Sequence, residues 1–168
     1  MKKSLKKGFT LVELVIVIAV IAILSAVLIP TFGNVIQNSK DTAAYQNASN
    51  AVNSYLVDQA SQENNAALGE GYIIVFTSPK VYSSSSTKLG AANDAYYFEY
   101  DGNAVVKGNY TKKTKEITVT GLTVTGAADN TPAYWSTGDS NNAIPLNYKI
   151  SGTQVSATVW WVKENPAA

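Results

Sequence analysis

A single carboxylate stands inside an otherwise uncharged run of 21 residues: Glu13, within FTLVELVIVIAVIAILSAVLI from Phe9 to Ile29. Thr10 and Ser25 supply the only hydroxyl side chains of that run. Such a carboxylate asks for a reason, because a charge at the centre of a membrane helix costs on the order of 2 to 3 kcal/mol, and less near its end. One reading puts Glu13 at the start of a helix, where the dipole favours an anion by about 0.3 to 1 kcal/mol. That reading explains why Glu13 is tolerated without giving it a task.

Other chemistry has little to work with. The chain of 168 residues has 13 Lys, no Arg, no His and no Cys. Histidine-based triads, thiol nucleophiles and nitrogen or sulfur metal sites therefore cannot be assembled, and neither can a disulfide. Among the acids, Asp94, Glu99 and Asp101 form no recognisable pair for general acid and base work. Asp129 with Asn130, or Asp139 with Asn141 and Asn142, offers oxygen ligands for calcium, but no EF-hand loop surrounds them. No metal or cofactor is expected, and no catalysis.

Lys112, Lys113 and Lys115 beside Tyr110 are the one basic cluster outside the N-terminus. Phosphates and stacked bases would suit such a group, yet three lysines before a strand more often solvate or protect a sheet edge. Lys2, Lys3, Lys6 and Lys7 sit in the first eight residues, leaving 9 Lys against 12 acidic groups and a formal charge of −3 for the rest. An acidic body of that kind argues against general nucleic-acid binding.

The element that must carry Glu13 is a helix. Over 21 residues at about 1.5 Å each it spans roughly 31 Å, close to the hydrocarbon thickness of a bilayer. The four preceding lysines predict a single pass with the N-terminus in the cytoplasm and everything after Pro30 exported. A cleaved secretory signal would have a shorter apolar core and an A-x-A-like site. A simple signal anchor fits the length but gives no reason for Glu13.

The run Lys6-Lys7-Gly8-Phe9-Thr10-Leu11-Val12-Glu13-Leu14, followed at once by an apolar helix, resembles the class III signal of type IV prepilins and the related pseudopilins. Basic leader, Gly before the cut, Phe after it and Glu fifth in the mature chain all agree, over about the first third of the sequence. The resemblance implies cleavage between Gly8 and Phe9 by a prepilin peptidase, and methylation of the new amino group of Phe9. It implies that Glu13 meets the Phe9 amino group of a neighbouring subunit during assembly. Pro30 falls where many pilins carry a helix-bending proline, and with Gly33 it implies a bend or a melted stretch; a helix end at the membrane surface is the alternative. Many pilins close their C-terminal region with a disulfide, and here packing around Trp160 and Trp161 or hydrogen bonding must serve instead.

From Asn34 to Leu68 there is no Gly or Pro, and Ala44, Ala48, Val52, Leu56 and Ala60 recur every four residues after Ile36, with Ala51 and Tyr55 alongside. This predicts an amphipathic helix continuing to about Gln62, with Asn64 to Gly71 as its stop. Strands are expected at Tyr72–Thr77, Tyr96–Tyr100, Ala104–Lys107, Glu116–Val124, Asn147–Ile150 and Val155–Val162. Asp101-Gly102-Asn103 and Ser151-Gly152-Thr153 suggest hairpins, while residues 83–86 and 127–142 have loop composition. On the last strand, Val155, Ala157, Val159 and Trp161 should face one side, and Ser156, Thr158 and Trp160 the other.

The expected fold class is α+β, a pilin-like lollipop whose long N-terminal helix packs on a C-terminal antiparallel β-sheet head. Its segments are a leader at 1–8, a transmembrane and assembly helix at 9–30, an amphipathic helix at 31–63 and a β-rich head at 64–168. The resemblance implies a structural subunit that forms homo-oligomeric helical filaments on the cell surface, after a membrane stage. Its implied partners are the peptidase and an assembly platform with its ATPase. A pseudopilin of a type II secretion or competence apparatus shares the same signal. A membrane-anchored surface binding domain is the rival from another class.

Overall fold

Among the residues described by the computed structural model, 8–61, 67–83, 87–106, 108–125, 134–138 and 141–167, one helix precedes eight strands. Helix α1 spans Leu11–Ser61 and contains Pro30 without interruption. The alternative in which the helix stops at Pro30 is therefore set aside. The hydroxyl of Thr31 donates to the carbonyls of Leu28 (2.8 Å) and Val27 (3.4 Å), and Ser39 donates to that of Val35 (2.8 Å). Such back-bonding is a common use of Thr and Ser hydroxyls on a helix, and the Thr31 bonds supply polar contacts close to Pro30, which has no N–H to give. The chain divides after Lys40 into two compact units.

In the first unit the described helical residues are exposed apart from a half-buried Ser25, including Leu11, Ile16, Ile23 and Ile29. The segment is long and apolar enough to cross a membrane.

In the second unit α1 lays one stripe on a sheet. Ala44, Ala48, Ala51, Val52 and Tyr55 are buried, following the 3.6-residue period of a helix. The strands are β1 (Gly71–Ser83), β2 (Asn93–Tyr100), β3 (Asn109–Lys113), β4 (Leu122–Thr125), β5 (Tyr134–Thr137), β6 (Ala143–Pro145), β7 (Tyr148–Ser151) and β8 (Gln154–Val162). Six of them form an antiparallel sheet in the order β3-β2-β1-β8-β6, with β7 also on β8, while β4 and β5 pair separately. β1 breaks register between Val75 and Lys80, around Pro79, which has no N–H to give.

The expected α+β class and helix-on-antiparallel-sheet arrangement are thus present. Tryptophans do fasten the last strand: Trp160 and Trp161 are buried, with indole N–H groups donating to the carbonyls of Ala157 and Gly69, both at 3.0 Å. Beyond β8 the Lys115 N–H donates to the Pro166 carbonyl (3.1 Å), and Thr114 bridges to Ala167.

Several expectations are corrected. Leu56 and Ala60 are exposed, because a strict four-residue repeat advances about 40° per step and leaves the buried stripe. Of the expected strand Ala104–Lys107, the described residues 104–106 do not form one, and Lys107 lies outside the described residues. The Asp101 turn forms, with Oδ1 accepting from the N–H groups of Asn103 (2.9 Å) and Ala104 (2.8 Å), but the returning chain bridges only from Val105 to Tyr100. It resumes pairing at Asn109, so Tyr110 and Lys113 lie on an edge strand rather than in a turn. Of Glu116–Val124, only the end from Leu122 is strand. β5 and β6 lie where loop or no element was expected. On β8 the alternation holds through Val159, but Trp160 and Val162 are buried too, because that end is covered on both faces. The Ser151 hairpin is present, with Ser151 opposite Gln154 and Gly152 at φ 58°.

Candidate functional site

The start of α1 is built by its own residues. Helix residues begin at Leu11, so Thr10 is the N-cap and Glu13 the third helical position. The Thr10 N–H donates to Glu13 Oε2 at 2.8 Å, and the Thr10 hydroxyl donates to the same oxygen at 2.7 Å. In return the Glu13 N–H donates to Thr10 Oγ1 at 3.3 Å, while the Leu14 N–H donates to the Thr10 carbonyl at 3.3 Å. This is a capping box, the Thr-x-x-Glu arrangement that satisfies orphan amides at a helix start reciprocally. The signal lay open in Thr10-Leu11-Val12-Glu13, and reading Glu13 only through charge pairing and the helix dipole missed Thr10.

The geometry bears directly on what Glu13 can do. Its side chain is tied by Oε2 to its own chain, and neither described bond uses Oε1. A carboxylate held this way keeps one orientation and one oxygen with acceptor capacity for a further donor. Phe9 immediately precedes the cap and is 86% exposed. Gly8 lies outside the helix, and a side chain there would meet none of the described atoms within 4 Å. The Gly8–Phe9 bond is thus in irregular, exposed backbone before the helix. The leader lysines Lys2, Lys3, Lys6 and Lys7 lie outside the described residues.

Pro30 and Gly33 both lie inside α1, where the apolar run gives way to more polar sequence. A side chain at Gly33 would meet nothing within 4 Å. The structure brings Gly8, Phe9, Thr10 and Glu13 together in one short segment, and leaves Pro30 and Gly33 several helical turns further on.

Elsewhere the chemistry is structural. Asp101 is exposed and its carboxyl is held below the usual carboxylate range by the Ala104 and Asn103 N–H groups, which suits a turn rather than catalysis. Among the described residues no three His, Cys, Asp or Glu side chains gather as a metal site. The calcium candidates Asp129, Asn130 and Asp139 lie outside the described residues. Asn142 is occupied with backbone, accepting from the Thr120 N–H (2.7 Å) and donating to the Thr118 carbonyl (2.5 Å).

One comparison with known proteins falls on the same segment. The family model described as the prokaryotic N-terminal methylation motif matches residues 3–29. The type IV major fimbrial protein FimA of Dichelobacter nodosus is 58% identical over 38 residues, which is 23% of this chain and 24% of FimA. The chain therefore spans about a quarter of the length of that relative. The fimbrial protein EcpC of Eikenella corrodens is 32% identical over 112 residues, 64% of this chain and 71% of EcpC. The type IV wide pilus major component PilA4 of Thermus thermophilus is 45% identical over 64 residues, 36% of this chain and 49% of PilA4. No solved structure is a significant match.

Proposed function

Because the chain belongs to the type IV fimbrial protein family, the pilins, we propose that it is a structural subunit of a type IV pilus-like filament on the cell surface. The observation that carries this reading is an accessible Gly8–Phe9 bond, followed by a capped carboxylate and an apolar helix with its sides uncovered. So much exposed apolar surface needs a cover, first lipid and then the same helix in other copies.

The sequence of events follows from charge and burial. The leader of residues 1–8 holds the N-terminus in the cytoplasmic leaflet through its lysines, with the chain after Pro30 exported. A prepilin peptidase cuts between Gly8 and Phe9 and methylates the Phe9 amine, which removes the four lysine charges and moves the terminal amine to Phe9. Residues 9–30 then pass from bilayer to filament. Glu13 receives the Phe9 amine of a neighbouring copy, and an unpaired charge in the wrong axial register is penalised. Residues 31–63 carry the helix out to the head at 64–168. Pro30 and Gly33 give the helix a local opening or bend as copies pack, and the Thr31 back-bonding supports this. The role is structural, and a separate assembly platform with its ATPase supplies the work.

Replacing Glu13 by Ala tests the reading. Membrane insertion and leader removal should persist while sheared filament yield falls at least about tenfold, the loss of one buried charge pair being large on this scale. Filaments at normal yield from that variant would refute the pairing role.

A further inference from the structure

Three stretches outside the strands lie side by side in the second unit. Residues 87–92 pair with residues 114–119: the Leu89 N–H donates to the Ile117 carbonyl (2.9 Å), the Thr114 N–H to that of Ala92 (2.9 Å) and the Val119 N–H to that of Thr87. Lys88 bridges to Thr118 between them. The third stretch is the tail after β8. The Lys115 N–H donates to the Pro166 carbonyl at 3.1 Å, and Thr114 bridges to Ala167. Consecutive N–H groups, at Thr114 and Lys115, therefore go to different neighbours, and the run 114–120 is bonded from both sides.

The tail is tied at its ends and not along its middle. At one end the Lys163 N–H donates to the Asn142 carbonyl at 2.9 Å. At the other, Pro166 is fully buried, and Asn165 Oδ1 accepts from the Ala167 N–H at 2.9 Å. Between the two ends lies a gap of about 250 Å³ lined by Lys115, Glu116, Thr118 and Glu164 among others. Lys115 and Glu164 form an ion pair there at 3.5 Å, with both side chains exposed.

Behind the tail, Leu89, Ala92, Ile117 and Val119 are buried and join the core. Isolated bridges hold these stretches, whereas β1 and β8 share a ladder of backbone pairs over Ile73, Ile74, Trp160 and Trp161. Segments with fewer such pairs open at lower free energy than a continuous sheet. We infer that residues 163–167 are a strap that opens and closes as one unit with residues 87–92 and 114–120, ahead of the sheet. Its closure keeps Leu89, Ala92, Ile117 and Val119 out of water.

The test is amide hydrogen exchange by NMR on the full chain in maltoside micelles, over a series of low urea concentrations. The Lys115, Leu89 and Val119 amides should exchange with one shared free energy and one shared urea slope, both smaller than those of the Ile73 to Val75 amides. Pro166→Ala, which removes part of a buried ring, should quicken all three about fivefold or more and to the same extent. Glu164→Gln, which breaks only the exposed ion pair, should leave them within about twofold. A Lys115 amide with a urea slope of its own, exchange of the three no faster than in β1, or Pro166→Ala quickening Lys115 alone would overturn the proposal. The first two readings need no variant, so the test holds even if Pro166→Ala misfolds.

Discussion

The Thr10 hydroxyl donates to Glu13 Oε2 at 2.7 Å, and the Glu13 N–H donates back to Thr10 Oγ1 at 3.3 Å. The one carboxylate of the apolar run is therefore oriented by its own chain before any partner arrives. Thr10→Val keeps the shape and removes the hydroxyl, and should cost the helix start about 1 kcal/mol. Hydrogen exchange at the Glu13 amide of the mature chain should quicken about fivefold, and Thr10→Ser should restore it. Unchanged exchange in Thr10→Val would show that the cap contributes nothing.

Trp160 is fully buried and Trp161 nearly so, but they hold β8 by different means. Trp160→Ala should destabilise the β-rich unit by about 3 to 5 kcal/mol through lost burial and a cavity. Trp161→Phe retains most of the packing and loses the bond to the Gly69 carbonyl, costing about 0.5 to 1.5 kcal/mol. Urea unfolding monitored by circular dichroism should rank the two in that order.

Gly108→Ala should destabilise by more than about 1 kcal/mol, because the new Cβ meets backbone that cannot swing aside. Gly33→Ala meets nothing and replaces a poor helix former, so helix stability should rise by about 0.8 to 1 kcal/mol. Thermal melts by circular dichroism should separate the signs. If Gly33 serves packing through local opening, filament yield should fall even as the helix gains.

Stability should decline at both ends of the pH scale. The Asp101 carboxyl is lowered from the ordinary 3.8 by its Ala104 and Asn103 N–H partners, so its contribution is complete above that value and is lost as pH falls below it. The Tyr55 and Tyr100 phenols are raised from 10.0, chiefly by burial. Below pH 10 they remain neutral in both folded and unfolded chains, and above it the unfolded chain ionises first, so stability falls as pH rises. Urea midpoints measured from pH 2 to 11 check both limbs, and Asp101→Asn should flatten the acid one.

Local signals in the sequence carried furthest. The N-terminal methylation motif over residues 3–29 was readable because its signature depends on near neighbours and on one long apolar run. The buried helix stripe was readable from Ala44 to Val52 and failed at Leu56, where a period of four parts from the true period. β3 was misplaced because the break at Gly108 depends on how closely that backbone approaches Tyr97 and Phe98. β5 was hidden in polar composition, although Trp135 marked it: the ring stacks on Tyr55 at 6.2 Å and meets Tyr148 edge-on at 5.3 Å. The strap was invisible, because Lys115 and Pro166 come together only through tertiary packing.

The central claim is that this chain is cut at Gly8–Phe9 and polymerises. Mass spectrometry of the N-terminus on filaments sheared from intact native cells, alongside the membrane fraction, tests it most directly. The filament reading requires a chain beginning at Phe9, carrying one extra methyl group and enriched in the sheared material. A chain that still begins at Met1 or Lys2 and is confined to membranes of cells with an active peptidase would contradict it, and would favour a membrane-anchored binding domain.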